Sequence, residues 1–263
     1  MISYVIDLEA ITFKPTHEAW AKDQPENVPL GFPPPFTWEV VCLGYAKLDN
    51  GYLSKLGAGC VKESEKEGLQ LFTNAVSNNT AQVISWNGRG YDLPVISYRC
   101  MHYGIPMTWY HADRSGYKYR YAGDKHFDVK DYLSEYGQHK ISMDHAAKLI
   151  GLPGKMDTKG SDVAKMHAEG NIKDITAYCI TDVLQTLLVF WRVEFIRGVI
   201  AKEDYIHLIR DSHQKLTAEG QLDLKDEKHT ILGNNIEDPT TLAIAKGCRK
   251  LTNNWDLEKM VSI

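Results

Sequence analysis

Two carboxylates end an apolar run within the first ten residues, in the stretch YVIDLEA at positions 4–10. The run is rich in β-branched residues, so we predict a buried strand over residues 3–9. Side chains alternate across a strand, which places Asp7 and Glu9 on the same side and close together. Neighbouring carboxylates repel each other unless cations compensate, and hard oxygen ligands select Mg²⁺ or Mn²⁺. The stretch therefore indicates metal-assisted chemistry.

Two further acidic positions stand at defined points of predicted elements. Asp92, in SWNGRGYDLPV, follows the predicted strand AQVISW and a glycine-containing loop, and it begins a predicted helix. The helix dipole favours an acid there, which is a sufficient structural reason by itself. Tyr178 and Asp182, in YCITD, are four residues apart on one face of a long helix predicted from about Asn171 to Arg197. Such a pair is also common in ordinary packing, so each pattern alone carries little weight.

The combination of the three patterns is much more specific than any one of them. A strand D-x-E, an N-x-x-x-x-D after a later strand and a helical Y-x-x-x-D resemble, in order and spacing, the three exonuclease motifs of the DEDD superfamily of 3′-5′ exonucleases. Position 177 is Ala and not His, which favours the tyrosine-bearing (DEDDy, DnaQ-like) branch. Relatives usually carry Thr after the D-x-E, where this chain has Ala10. The stretches NGRGYDLPVI, HFDVKDYLSEYG, LIGLPGK and YCITDVLQT are similar to predicted 3′-5′ exonucleases related to the proofreading domain of family B DNA polymerases, over roughly residues 1–200.

This resemblance implies a fold, a reaction and a cofactor. The fold class is α/β, an RNase H-like mixed sheet flanked by helices with a helical C-terminal part. The reaction is metal-dependent hydrolysis of single-stranded nucleic acid from its 3′ end, with DNA favoured over RNA, to nucleoside 5′-monophosphates. The catalytic residues it implies are Asp7, Glu9, Asp92, Tyr178 and Asp182. The four acids would bind two Mg²⁺ or Mn²⁺ ions, one activating water and the other stabilising the leaving 3′ oxygen. Tyr178 would position the water, because a pKa of about 10 makes tyrosine a poor base at neutral pH.

Substrate contacts are less sharply defined by the sequence. DRSGYKYRYAGDKH, residues 113–126, alternates basic and tyrosine residues, and we predict a short strand or hairpin over Tyr117 to Tyr121 with the tyrosines on one face. Aromatic stacking and backbone charge hold single strands, but the same pattern suits a half-buried hairpin. The candidate substrate contacts are Asn87, Arg89, Tyr117, Lys118, Tyr119 and Arg120, with Lys155 and Lys159 as further candidates for phosphate contact. We expect Asp128, in HFDVKD, to form structural hydrogen bonds and not to bind metal.

The predicted organisation is an exonuclease-type domain over residues 1–222 and a C-terminal extension over residues 223–263. The extension has weak periodicity, so we expect an appended, partly irregular tail of unknown role. Residues 15–35 hold six of the ten prolines, which predicts a long surface loop within a Pro-rich insertion at about 14–38. That loop is either a solvated insertion or a lid or partner contact beside the first strand. An Asn50-Gly51 turn predicts a β-hairpin between TWEVVCLGYAKL and GYLSKLGAGCV.

Composition narrows the class of protein. The 263-residue chain has 30 Lys and Arg against 34 Asp and Glu, a formal charge of −4, so nucleic acid would have to meet a local basic patch. Five cysteines without a CxxC pair argue against a disulfide framework and a zinc site and favour a reducing, cytoplasmic setting. No signal peptide is recognisable at the start of the chain. Its most apolar segment is interrupted by Gln185, Arg192 and Glu194, so we expect no membrane span.

Two other classes of protein share part of this pattern. Haloacid-dehalogenase-like phosphatases also place acids at a strand end, but they need D-x-D with Thr or Val two residues later, where this chain has Glu9 and Ile11. They would also leave the helical Tyr178 and Asp182 unexplained. A catalytically weak or inactive exonuclease-fold module that binds nucleic acid or a protein partner is the non-enzymatic alternative. Loss of a metal ligand would mark it, and none of the four acids is missing.

Overall fold

Five strands in the described part of the chain form one mixed sheet. The computed structural model describes residues 1–26, 29–60, 65–79, 81–156, 160–221, 232 and 238–263. The strands are β1 (Ile2–Thr12), β2 (Trp38–Asp49), β3 (Tyr52–Cys60), β4 (Gln82–Ser85) and β5 (His126–Asp128). They lie in the order β3-β2-β1-β4-β5, in which β1, β2 and β3 pair antiparallel, and β1, β4 and β5 pair parallel. The first strand is therefore the central one.

Eleven helices in the same residues flank this sheet. They are α1 (Lys14–Lys22), α2 (Glu65–Asn79), α3 (Asp92–Tyr103), α4 (Thr108–His111), α5 (Val129–Leu133), α6 (Met143–Leu149), α7 (Val163–Ala168), α8 (Ile172–Ile196), α9 (Lys202–Gln221), α10 (Pro239–Thr252) and α11 (Leu257–Val261). α2 and α3 cover one face of the sheet, and α8 covers the other, with α9 and α10 packed against it. The predicted RNase H-like mixed sheet with flanking helices is confirmed.

The side chains of β1 alternate between the two faces of the sheet. Ile6 and Leu8 are buried in the core on the α3 face, whereas Val5 is buried in the core on the α8 face. Because the period is two, Asp7 and Glu9 share the face of Val5 and point towards α8. The register with β2 shifts between Glu9 and Ala10, so both acids precede the irregularity.

α8 is buried along most of its length because apolar side chains occupy nearly all of its faces. It lies close to the sheet at Gly44 of β2, where an added Cβ atom would lie 2.8 Å from Cys179 Sγ. Gly44 is the register partner of Asp7, so this approach brings the Cys179 turn of α8 over the first acid. The long helix predicted from about Asn171 to Arg197 is confirmed. Within the described ranges, no helix has both the length and the apolar character that crossing a bilayer requires.

The predicted hairpin is also present. β2 and β3 are joined by Asn50 and Gly51, both with positive φ (49° and 87°), as expected of a two-residue turn that matches strand twist. The helix predicted to begin at Asp92 corresponds to α3.

The Pro-rich segment differs from the prediction of a long irregular loop over residues 15–35. α1 occupies Lys14–Lys22, with Pro15 in its first turn. Proline is tolerated there because the missing N–H would have no helical partner, so the residue begins this helix and does not break it. The later prolines follow α1, and a short 3₁₀ turn at Pro35–Thr37 leads into β2.

The strand or hairpin predicted over Tyr117 to Tyr121 is wrong. These residues form consecutive turns, in which Tyr119 N–H donates to the Gly116 carbonyl at 3.0 Å and Ala122 N–H to the Tyr119 carbonyl at 3.2 Å. Gly116 has a φ of 81°, which an extended strand does not contain. The alternation of tyrosine and basic residues therefore does not sort them onto two faces.

The expected irregular tail is not seen in residues 238–263. Asp238 caps α10 by accepting a hydrogen bond from Thr240 N–H at 2.8 Å, and Cys248 and Leu251 are buried in the same core as α8. The turn after α10 leads into α11, whose Met260 is also buried. Most of residues 223–237 lie outside the described residues, and the proposed boundary at 222 stays a prediction.

A buried ion pair joins α2, α3 and β2. Arg99 donates from Nε and NH2 to the Glu65 carboxylate at 2.8 and 2.5 Å, and Val40 N–H of β2 donates to Glu65 Oε1 at 2.7 Å. Tyr103 adds a hydroxyl hydrogen bond at 2.9 Å, and the Arg99 guanidinium lies 4.2 Å from the centre of the Phe13 ring. Both charged groups are therefore buried and have hydrogen-bond partners.

Arg99→Met should lower the free energy of unfolding by about 3–5 kcal/mol, because it leaves the Glu65 carboxylate buried without its cation. Urea unfolding measures the loss. Arg120→Met is the matched control, since the ion pair of Arg120 with Asp131 is partly exposed and should matter much less. Equal losses in the two variants would contradict this account of the buried pair.

Candidate active site

The first two acids lie within β1, on the face of the strand that points towards α8. Glu9 is 7% exposed and Asp7 is half-buried. The Asp7 Oδ2 atom is itself buried and has no hydrogen-bond partner among the described residues. Cys179 of α8 donates its thiol to the Asp7 carbonyl oxygen at 3.4 Å. β1 and α8 are therefore in direct contact at this position.

Asp92 reaches the same place from the neighbouring strand. It is the first residue of α3, it follows β4, and it is 3% exposed. Its Oδ1 accepts a hydrogen bond at 3.2 Å from the N–H of Leu8, the residue between Asp7 and Glu9. The loop before it turns tightly at Gly88, where an added Cβ atom would lie 2.2 Å from Ser85 Oγ. Sequence and fold together thus place the second predicted motif against the first.

Tyr178 and Asp182 complete the group from α8. They lie one turn apart and share a hydrogen bond between their side chains. Gln185 Nε2 donates to Asp182 Oδ1 at 3.5 Å. Through Cys179, this turn of α8 is in contact with both Gly44 of β2 and Asp7 of β1.

Burial raises the pKa of all four carboxyl groups: Asp7, Glu9, Asp92 and Asp182. The pKa of Asp7 is raised well above its usual range, first by burial and then by the charges of the other three. Burial brings the pKa of Asp92 to about 7, and that of Asp182 to about 6 against the opposing hydrogen bond from Tyr178. The carboxylates therefore act on one another as a single cluster.

Two lysines oppose this accumulation of negative charge. Lys155 lowers the pKa of both Glu9 and Asp182, and Lys250 of α10 lowers that of Asp182. Lys155 was a sequence candidate for phosphate contact, and it lies beside the acids. Lys159, the other candidate of this kind, lies outside the described residues. No sequence signal pointed to Lys250.

The cluster offers ligands for a divalent cation. Asp7, Glu9 and Cys179 each bring a possible ligand atom within 4.8 Å of the others, whereas Asp92 and Asp182 lie outside this closest group. Carboxylate oxygens suit Mg²⁺ and Mn²⁺, while a thiol does not, and the Cys179 thiol is engaged by the Asp7 carbonyl. The unpartnered Asp7 Oδ2 is the atom that a cation would satisfy. The residues present therefore fit hard divalent ions.

The predicted substrate contacts are divided by the structure. Asn87, Arg89 and Arg120 line a cleft of about 540 Å³ together with Lys130 and Lys140. In contrast, Tyr117 is 3% exposed and donates its hydroxyl to the Ala81 carbonyl at 2.5 Å, so it belongs to the core. Tyr119 and Tyr121 are more than half exposed, and Lys118 Nζ contacts the His111 ring at 2.8 Å.

Asp128 holds the loop beside this cleft. Its carboxylate accepts hydrogen bonds from the backbone N–H groups of Asn87, Arg89 and Asp131 at 2.9 to 3.0 Å. The last of these caps α5. The structural role expected for Asp128 agrees with these three contacts.

Tyr91 and Cys179 are residues of the site that sequence reasoning missed. The pKa of Tyr91 is raised by burial and by the charges of Asp92, Glu9 and Asp7, so its hydroxyl lies in the field of the acidic cluster. Its position directly before Asp92 was the available signal. Cys179 stands between Tyr178 and Asp182 in sequence, but its contact with Gly44 requires the sheet and is not visible in the pattern.

Comparison with known proteins gives one family. The family described as predicted 3′-5′ exonuclease related to the exonuclease domain of PolB has a model that matches residues 38–230, more than half of the chain. A search of curated proteins found no match. The matched region contains Asp92, Tyr178 and Asp182, whereas Asp7 and Glu9 on β1 precede it and α10 follows it.

Asp182→Asn should raise the free energy of unfolding of the metal-free protein at about pH 8, by on the order of 1–3 kcal/mol. The reason is that a folded-state pKa of about 6 lies above the usual value, so ionisation of this group costs stability as pH rises through it. Below about pH 4 the gain should vanish. Added Mg²⁺ should stabilise the unmodified protein more than the variant.

Urea unfolding with and without MgCl₂ measures both effects. Asp174→Asn is the control on the same helix, because Asp174 is half exposed and pairs with Lys246 away from the cluster. A metal-free Asp182→Asn protein that is less stable than the unmodified one would contradict the repulsion described above.

Proposed function

This chain belongs to the family of predicted 3′-5′ exonucleases related to the exonuclease domain of PolB, and we propose that it removes nucleotides from the 3′ end of single-stranded nucleic acid. It is an enzyme of the phosphodiester-hydrolysing class. The finer assignments that we propose are DNA in preference to RNA and nucleoside 5′-monophosphates as products. We also propose a cytoplasmic location, on the cysteine pattern of the sequence.

The convergence of four carboxylates from three elements carries this proposal. Asp7 and Glu9 come from β1, Asp92 from the start of α3 and Asp182 from α8. Direct contacts join the elements, since Leu8 N–H binds Asp92 and the Cys179 thiol binds the Asp7 carbonyl. A protein that used these acids only for structure would have little reason to bury them against one another.

We assign two Mg²⁺ or Mn²⁺ sites to Asp7, Glu9, Asp92 and Asp182. When bound, such ions activate water for attack on the phosphorus and stabilise the leaving 3′ oxygen. The residues contribute a fixed and desolvated frame: β1 is paired on both sides, and the main chain of Leu8 orients Asp92. Lys155, beside Glu9 and Asp182, is well placed to attract the substrate phosphate.

Tyr178 is proposed to orient the attacking water. Burial and the neighbouring acids raise its pKa above the usual value, so the hydroxyl keeps its proton at neutral pH. A protonated hydroxyl donates and accepts hydrogen bonds but does not act as a base. Its bond to Asp182 fixes the direction in which the phenol points.

The phosphate backbone beyond the cleaved bond would follow the cleft that contains Arg89, Arg120 and Lys130. Both arginines contact Asp131, which holds them at the rim of the cleft. Lys130 Nζ donates to Asn87 Oδ1 at 3.0 Å, so Asn87 is oriented by a cation and not by the core. Charge of this kind binds nucleic acid without reading its sequence.

The proposed activity predicts a ladder of products shortened from the 3′ end when the purified protein meets 5′-labelled single-stranded DNA with Mg²⁺ or Mn²⁺. EDTA should abolish cleavage, and matched RNA should be cleaved more slowly. Asp7→Ala should lose activity by at least about a hundredfold, because it removes one of the four proposed metal ligands. A folded protein that cleaves no DNA or RNA in either metal would overturn the proposal, and normal cleavage by Asp7→Ala would overturn the site.

Tyr178→Phe should lower kcat by roughly ten- to a hundredfold and leave the apparent metal affinity nearly unchanged, because the phenol orients water and binds no ion. Steady-state rates at varied Mg²⁺ concentration separate the two quantities. Tyr117→Phe is the control, since the Tyr117 hydroxyl is buried in the core, where it donates to the Ala81 carbonyl. Unchanged turnover in Tyr178→Phe would refute the role in positioning water.

A further inference from the structure

An exposed aromatic ring stands out in the Pro-rich segment that precedes β2. The Phe32 side chain is 75% exposed. Its ring nevertheless makes defined contacts with two other rings. It stacks on the Trp38 ring with centroids 5.3 Å apart and planes 25° apart, and it contacts the Tyr91 ring edge-on at 5.7 Å.

The three rings contact one another pairwise. Trp38 and Tyr91 lie 5.8 Å apart at an angle of 78°, so each ring touches both of the others. Trp38 and Tyr91 are half-buried, whereas Phe32 is the outermost member. We call these three residues the aromatic platform. One face of Phe32 is covered by Trp38, and the other is open to solvent.

The segment that carries Phe32 is held in place by its own hydrogen bonds. Trp38 Nε1 donates to the Pro33 carbonyl at 2.9 Å, and Thr37 Oγ1 donates to the Pro34 carbonyl at 2.7 Å. Thr16 of α1 donates to the Phe36 carbonyl at 2.8 Å. Proline also restricts the backbone, so the ring is presented in one arrangement before any ligand arrives.

The platform is continuous with the acidic cluster. Tyr91 is the residue directly before Asp92, and its hydroxyl lies in the field of Asp92, Glu9 and Asp7. Trp38 pairs with Thr12 of β1, three residues beyond Glu9 on the same strand. The rings therefore extend outward from the place where a 3′ end would be cleaved.

We propose that the aromatic platform binds a nucleobase near the 3′ end of the substrate strand, with the base stacked on the open face of Phe32. This inference rests on the proposed function and deepens it. Every nucleobase has a flat face, so the contact tolerates any sequence but requires a base that is free of its neighbours, as in a single strand. A protein ligand would gain less, because the exposed surface is one ring and not a groove.

Phe32→Ala should raise KM for single-stranded DNA about tenfold and lower kcat/KM by the same factor, as expected for the loss of one base stack. Phe32→Tyr should restore the unmodified value, and Phe32→Leu should not, because the contact needs a ring. Phe36→Ala is the matched control: Phe36 is a second exposed phenylalanine of the same segment, but its ring contacts Tyr98 and not the platform.

A series of oligonucleotides with one abasic nucleotide at successive positions from the 3′ end locates the stacked base. In the unmodified enzyme, one position should lower kcat/KM by about tenfold. In Phe32→Ala, the same position should no longer matter. This pairing of a protein change with a substrate change tests the contact itself and does not depend on small differences in folding.

Three results would overturn the inference. Cleavage by Phe32→Ala at the rate of the unmodified enzyme would return the platform to a solvated insertion or a protein contact. Equal losses at every abasic position in both proteins would show that Phe32 does not hold a base. Absence of nuclease activity in the unmodified protein would show that the proposed function itself is wrong. An assay of the unmodified protein alone distinguishes this outcome from the other two.

Discussion

Repulsion between carboxylates held out of water is the constraint around which this protein is built. Each acid of the cluster is at least half-buried, and the charges of Asp92 and Asp182 make ionisation of Asp7 and Glu9 harder. Such a cluster of acids stays together only if the main chain that carries them is held in a fixed position. The frame is a central strand paired on both sides, a helix start bound to the main chain of that strand, and a long helix pressed against the strand beside it.

Close contacts at two glycines, one on each side of α8, fix the position of this helix at the site. Gly44 allows α8 to approach β2, and Gly247 of α10 lies so close to α8 that an added Cβ atom would be 2.8 Å from the Ala177 carbonyl. The turn with Tyr178 and Asp182 is therefore clamped between the sheet and the last long helix. Lys250 on α10 places positive charge near Asp182 and lowers the pKa of that carboxyl group. A helix beyond the matched region thus takes part in the electrostatics of the cluster.

Local patterns predicted the elements, and a joint pattern predicted the acids. Three features depend only on residues that are neighbours in sequence: the alternation of β1, the Asn50-Gly51 turn and the apolar length of α8. They could therefore be predicted from the sequence. Tyr117 was misplaced because burial of its hydroxyl against Ala81 is a tertiary contact. Pro15 was read as a breaker although it starts a helix. Lys250 could not be found, because its meaning depends on how α10 packs, and no local pattern encodes that.

The order of the motifs along the chain has a consequence for biosynthesis. Asp7 is made first, but its partner on α8 lies 175 positions later, and β1 also needs β4 before it is paired on both sides. At ordinary translation rates roughly ten seconds or more separate the first and last acids. During that interval the emerging chain holds only part of the cluster. A chain made in this order has its complete acidic cluster only after α8 has been synthesised.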